Sequence, residues 1–136
     1  MRRGLVIAGL VLGLAPALAQ PSPFPYDGAD KPASFEEVGR ASWYGKKHDG
    51  HRTASGTSFD RTDFTAAHRT LKFGTVVRVT NLANHRTVQV RITDRGPHAK
   101  GRVIDVSAAA ARELGMQRRG TARVRLSVFD GDQYPD

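Results

Sequence analysis

The chain reads as a small, mainly β domain that closes into a barrel. Three observations point there. Several short segments alternate apolar and polar residues with the two-residue period of a strand that has one buried face. Gly, Asn, Asp and Pro punctuate the gaps between them. Only one segment carries the cap signals of a helix. Small all-β domains commonly close on themselves, because closure removes exposed strand edges.

The elements follow in chain order. Residues 1–19 have a basic start (Arg2, Arg3), an apolar run over Leu5–Leu14 and a small-x-small ending at Ala17-Leu18-Ala19, the pattern of a signal peptide cleaved before Gln20. The apolar run is shorter than the roughly 20 residues a membrane span requires. Residues 20–38 begin with Pro21, Pro23, Pro25 and Pro32 and read as an extended, Pro-rich linker. The barrel is expected over 39–130, with 131–136 as a tail. Gly39–Tyr44 opens the first strand, and His48–Ser58 is a loop. Thr65–His68 is expected to form one helical turn. Thr75–Leu82 and Arg86–Thr93 alternate on either side of a turn at Asn81–Asn84, which predicts a hairpin. Val103–Val106 is a short strand. Ser107 is placed to cap a helix over Ala108–Leu114 that Gly115 ends. Arg123–Phe129 is the last of about six strands.

The chain carries no cysteine, so an exported domain of this size must rely on its core alone. Its net charge is +8, of which Arg2 and Arg3 supply two. Most of these basic residues read as a solvated surface; the functional alternative is attraction to a polyanion. For an exported protein the expected polyanion is the cell envelope. Nucleic acid is not expected, since aromatic residues are few and not interleaved with the basic ones. There is no phosphate-binding loop, dinucleotide fingerprint or nucleophile elbow. His48 and His51 have H-x-x-H spacing, but two histidines in a Gly-rich loop do not make a metal site, and none is expected. No cofactor is implied.

The most informative segment is Val88–His98. Val88, Val90 and Ile92 alternate with Gln89, Arg91 and Thr93, and Asp94 stands where the alternation stops, before Gly96 and Pro97. A carboxylate at the end of a rigid strand is placed to meet a substrate; Asp in such a position also often serves its own turn. Asp105 ends another strand, and two carboxylates can divide acid and base work on a glycosidic bond. Capping the following helix is its competing role. Arg95 would hold Asp94 ionised if its guanidinium folded back. His68 can orient a substrate or a carboxylate, or tie a loop to the barrel. Trp43 and Tyr44 can pack as core or offer a flat face to a sugar ring.

Together, Ala41-Ser-Trp-Tyr-Gly45, Thr53-Ala-Ser-Gly56, Phe59-Asp60, Thr65-Ala-Ala-His-Arg-Thr-Leu71, Phe73-Gly-Thr75, Val79-Thr-Asn-Leu82, Asp94-Arg-Gly-Pro97 and Arg102-Val-Ile-Asp-Val-Ser107 resemble the RlpA (rare lipoprotein A) family, in order and over nearly the whole predicted domain. The resemblance implies a six-stranded double-psi β-barrel, mainly β with one or two short helices, shared more distantly with expansins. It implies a lytic transglycosylase that cuts the MurNAc–GlcNAc bond of peptidoglycan, on peptide-free strands in some members, and leaves 1,6-anhydro ends. Carried over by position, the catalytic acid falls on Asp94 and the supporting His on His68. Asp105 stays a further catalytic candidate on its strand-end position alone. Substrate contacts are expected from Trp43, Tyr44, Asn81 and Arg95, and from the loop residues Thr53, Ser55 and Thr57. Thr57 stands where the family usually has Glu. A non-catalytic, expansin-like module that binds or loosens glycan is the alternative. The lipid-anchor Cys of the named family and a C-terminal peptidoglycan-binding domain are both missing from this sequence. The expectation is a monomeric protein exported to the periplasm or beyond, without stable membrane insertion.

Overall fold

The computed structural model describes residues 32–44 and 48–132. The signal-peptide segment and most of the linker lie outside them. Six strands and one helix follow in order: β1 (Phe35–Tyr44), β2 (Thr65–Ala67), β3 (Val76–Asn81), β4 (Thr87–Asp94), β5 (Arg102–Ser107), α1 (Ala108–Glu113) and β6 (Thr121–Val128). They form a closed barrel in the order β1-β5-β2-β4-β3-β6. The β1–β5 and β2–β4 pairings are parallel and the other four antiparallel.

Two expectations need correction. Thr65–Ala67 is a strand, not a helical turn. It is buried throughout its length, so it carries no alternation to read, and it is held between β4 and β5. The linker also ends earlier than residue 38. Phe35–Val38 already pairs with β6, Phe35 opposite Val128 and Val38 opposite Arg125. Glu36 and Glu37 disguise this start, yet Phe35 packs against the core. At the other end Asp132, assigned to the tail, holds the Arg78 guanidinium through two hydrogen bonds of 2.9 Å.

The inward residues are those the alternation marks. Val77, Val79, Val90, Ile92, Ile104, Val106, Val124 and Leu126 are all fully buried. Each such side chain contributes roughly 1.5–3 kcal/mol by leaving water. Ser107 caps α1 as predicted, its side chain accepting from the Ala110 N–H. Gly115 follows the helix at φ 69°, a left-handed conformation that glycine adopts without strain. Ala110, Ala111 and Leu114 seal the helix against the barrel. Among the described residues no helix is long and apolar enough to cross a membrane.

Candidate active site

Strand register brings the two acids into one row. Ser42 on β1 pairs with Asp105 on β5, Asp105 with Ala67 on β2, and Ala67 with Asp94 on β4. Directly paired residues share a face of a sheet. The face is the outer one, since Ala41, Ile104, Ala66 and Ile92 on the same strands point into the core. Asp94 and Asp105 are therefore two inter-strand steps apart, about 10 Å between their backbones. Between them lies only the methyl of Ala67, so the row forms a shallow saddle with an acid on each side.

Each acid is held differently. Ser42 Oγ donates a short hydrogen bond to Asp105 Oδ1. Asp94 Oδ1 accepts from the backbone N–H groups of Ala54 and Arg95, both at 2.9 Å. Among the described residues nothing donates to Asp94 Oδ2. The side chain is half-buried. The Arg95 guanidinium turns away from it: Nη1 donates to the carbonyls of His68 (3.2 Å) and Leu71 (2.8 Å), and the guanidinium lies 4.0 Å over the Phe73 ring. The opposition between acid and guanidinium that the sequence left open is resolved by this packing.

His68 is a bracket. Its Nδ1 accepts from the N–H groups of Thr70 and Leu71, both at 3.1 Å, which leaves Nε2 to carry the proton and donate to Glu37 Oε1 at 2.9 Å. The ring is buried with Phe35 edge-on to it at 5.8 Å. Both nitrogens are committed, so the imidazole ties β1 to the turn after β2. Its backbone N–H meanwhile holds the Asp94 carbonyl at 3.1 Å.

Tyr44 is not an open platform. Its ring packs against Phe59 at 4.5 Å and His48 at 5.3 Å. Its hydroxyl is buried, and neither it nor the buried Thr65 hydroxyl has a well-formed hydrogen bond. Burial pushes the phenol pKa up; the charges of Asp94 and then Asp105 add to this, while the Thr65 hydroxyl opposes it. Tyr44 therefore stays a neutral donor beside two carboxylates. His48, one of the H-x-x-H pair, is part of this aromatic cluster, and among the described residues no three potential metal ligands come together.

The loop after β1 covers the acid. Ser55 N–H bonds to the Thr93 carbonyl at 3.1 Å, beside the Ala54–Asp94 contact. Within the loop the hydroxyls of Thr53, Ser55 and Thr57 form a triangle of 3.0 Å sides. Gly56, at φ 92°, makes the turn that lets it close. An open cleft of about 340 Å³ runs between this loop and β4, lined by Ser55, Thr57, Thr65, Phe73 and Arg91 among others.

Two candidates stand elsewhere. Asn81 is buried at the far end of the β3–β4 hairpin, about 25 Å along the strand from Asp94. Its amide is used up, Nδ2 donating to Leu114 O at 2.8 Å and Oδ1 accepting from Ala83 N–H at 2.9 Å, so the expectation that it contacts substrate does not fit its place. Trp43 packs half-buried against the core. Conversely Ser42, Ala67, Glu37 and the Ala54 N–H belong to the site without having been singled out. Only register and loop closure bring them in, and neither has a local sequence signal.

Comparisons with known proteins bear on the family and the fold. A family described as lytic transglycolase matches residues 36–126. The endolytic peptidoglycan transglycosylase RlpA of Vibrio cholerae is 48% identical over 102 residues, covering 75% of this chain and 39% of that protein. The protein of the same name from Neisseria meningitidis is 46% identical over 111 residues, 81% of this chain and 46% of the other. The chain thus spans less than half the length of these relatives. Among solved structures, the Streptomyces papain inhibitor superposes with a TM-score of 0.58 at 24% identity, over 74% of this chain and 99% of that one. The Clavibacter michiganensis expansin gives 0.58 at 21% identity, over 74% and 54%. Likeness at this level shows the fold, a double-psi β-barrel. The chain belongs to the lytic transglycolase family, with the RlpA proteins as its relatives.

Proposed function

We propose that this protein is an exported lytic transglycosylase that cuts the MurNAc–GlcNAc bond of peptidoglycan, acting on peptide-free strands as a monomer. The observation that carries the reading is Asp94: a half-buried carboxylate anchored through one oxygen, with the other free of donors among the described residues and the neighbouring guanidinium drawn away. In the reaction Asp94 begins protonated and gives its proton to the glycosidic oxygen as the bond to the anomeric carbon breaks. The muramoyl C6 hydroxyl oxygen forms the new bond to that carbon, and its proton returns to Asp94. One carboxylate thus serves as acid and then base, with no water consumed. Asp105, across the saddle, faces the positive charge that develops at the anomeric centre. Tyr44 supplies a neutral hydroxyl beside both acids. His68 acts on Asp94 as a positioning residue. Residues 1–19 serve as the export signal. The names of the relatives support the reaction class, and no cofactor enters any step.

The test is to incubate the mature protein with peptide-free glycan and look for 1,6-anhydromuramoyl ends by mass spectrometry. Product above an Asp94→Asn control is expected; none would sink the reaction.

The second reading is an expansin-like module that binds glycan without cutting it. The hydroxyl triangle of Thr53, Ser55 and Thr57 favours it, because the segment Thr53–Thr57 beside Asp94 carries no acid. Glycan binding with no cutting, and cutting gained in Thr57→Glu, would establish it.

A further inference from the structure

The outer face of β5, β1 and β6 carries a charged feature that the acid row does not use. Arg40 pairs with Arg102 on one side and Arg123 on the other. Arg125 follows on β6, opposite Val38. Like charges set opposite one another destabilise a sheet. Here three arginines occupy paired positions on adjacent strands, and among the described residues none of the four forms an ion pair. Arg40 has one side-chain hydrogen bond, to Thr121 Oγ1 at 3.4 Å. Glu36, the acid on the same face of β1, lies four residues away, about 13 Å along the strand. Among the described residues the row has no counter-charge, so its charge is available to a ligand.

The row is also contiguous with the site. Arg40 is two residues from Ser42 on one strand, about 7 Å from the acid row. A glycan lying across the saddle continues onto the arginines. Arg102 and Arg123, two inter-strand steps apart, are about 10 Å from each other at the backbone.

We infer that Arg102, Arg40 and Arg123 form an anionic subsite that pairs with the lactyl carboxylates of peptide-free muramoyl residues. This rests on the glycan substrate proposed above and adds its selectivity. A muramoyl residue without a stem peptide ends its lactyl group in a carboxylate, which a guanidinium binds through charge-assisted, bidentate hydrogen bonds. A residue that carries a peptide has an amide there, with no charge to pair. The arginine face therefore discriminates in favour of stripped strands by a contact remote from the bond that is cut.

Binding tests this apart from cutting. In the Asp94→Asn background, co-sedimentation is measured with peptide-free glycan, with the same glycan after its carboxylates are converted to methylamides, and with a phosphodiester polymer as another polyanion. The expected result is about tenfold weaker binding on amidation, in line with the loss of charge-assisted contacts. The same loss is expected for Arg40→Gln/Arg123→Gln on untreated glycan, with no further loss when that variant meets amidated glycan. Arg86→Gln/Arg112→Gln, which removes equal charge elsewhere, should bind as the parent does. The inference falls if the Arg40/Arg123 variant binds like the parent while folded by circular dichroism, if the control pair loses as much, or if the phosphodiester polymer binds more tightly than the glycan. If no protein variant cuts glycan but this pattern holds, the reaction fails and the subsite stands.

Discussion

The two ends of strand β4 are built to opposite rules. At its start, beside the β3–β4 turn, the polar groups are used up. Asn81 donates to Leu114 O and accepts from Ala83 N–H, and Asn84 repeats the pattern with Leu114 O and Arg86 N–H. At its finish, Asp94 keeps one oxygen without a donor, and the Tyr44 and Thr65 hydroxyls nearby are buried without well-formed bonds. Buried polar groups left unpaired cost stability. Two of the three buried side-chain atoms left unpaired among the described residues thus sit beside Asp94; the third, Gln89 Oε1, lies two residues into β4, past the satisfied turn.

The largest expected effect tests that contrast directly. Asp94→Asn should lower cutting by at least about a thousandfold, in the range general acid–base groups supply, and leave the melting temperature nearly unchanged. A loss of stability on a par with the loss of activity would make Asp94 a turn residue. Asn81→Ala should do the reverse. Removing the buried amide strands Ala83 N–H and leaves Leu114 O with the Asn84 amide alone, which costs about 2 kcal/mol. Thermal unfolding should show it as a drop of at least about 8 °C, while cutting per folded molecule is kept. His68→Ala falls between, with about 2 kcal/mol lost from its three ring hydrogen bonds and a fall in turnover through the displaced Asp94 backbone.

The smallest effect sharpens the comparison most. Tyr44→Phe removes a buried hydroxyl that lacks a well-formed bond, so stability at neutral pH should hold or rise by up to about 1 kcal/mol. Turnover should fall nevertheless if the hydroxyl meets substrate. The alkaline limb gives a second readout. The folded-state phenol binds its proton more tightly than the unfolded one, through burial first and then the charges of Asp94 and Asp105. The wild type therefore loses stability as pH rises above the unfolded value of about 10. Unfolding against pH should show a shallower decline in Tyr44→Phe, and identical curves would contradict the placement of that hydroxyl.

The sequence made much of the barrel legible, and its limits were physical. β3, β4 and β6 alternate because one face meets the core and the other water. The helix is legible because Ser107 and Gly115 are chemically suited to its two ends. β2 was misread because it is buried throughout and too short to show a period. The start of β1 was misread because Glu36 and Glu37 resemble a solvated linker. Asp94 stood out by its place at a strand end, but the direction of Arg95 depends on Phe73 and two carbonyls that no local pattern brings near. Ser42 and Ala67 join the site by register between strands far apart in the chain, which motif resemblance implies and periodicity cannot.

That register has a consequence for how the chain comes to hold its site. The row of Ser42, Asp105, Ala67 and Asp94 takes one residue from each of four strands, two of its three junctions being parallel pairings between distant segments. Such non-local pairing forms slowly, since long loops must close first. Only a chain that has paired β1 with β5, β5 with β2 and β2 with β4 holds the row together. The proposed chemistry is therefore a property of the assembled barrel, and no single segment carries it ahead of folding.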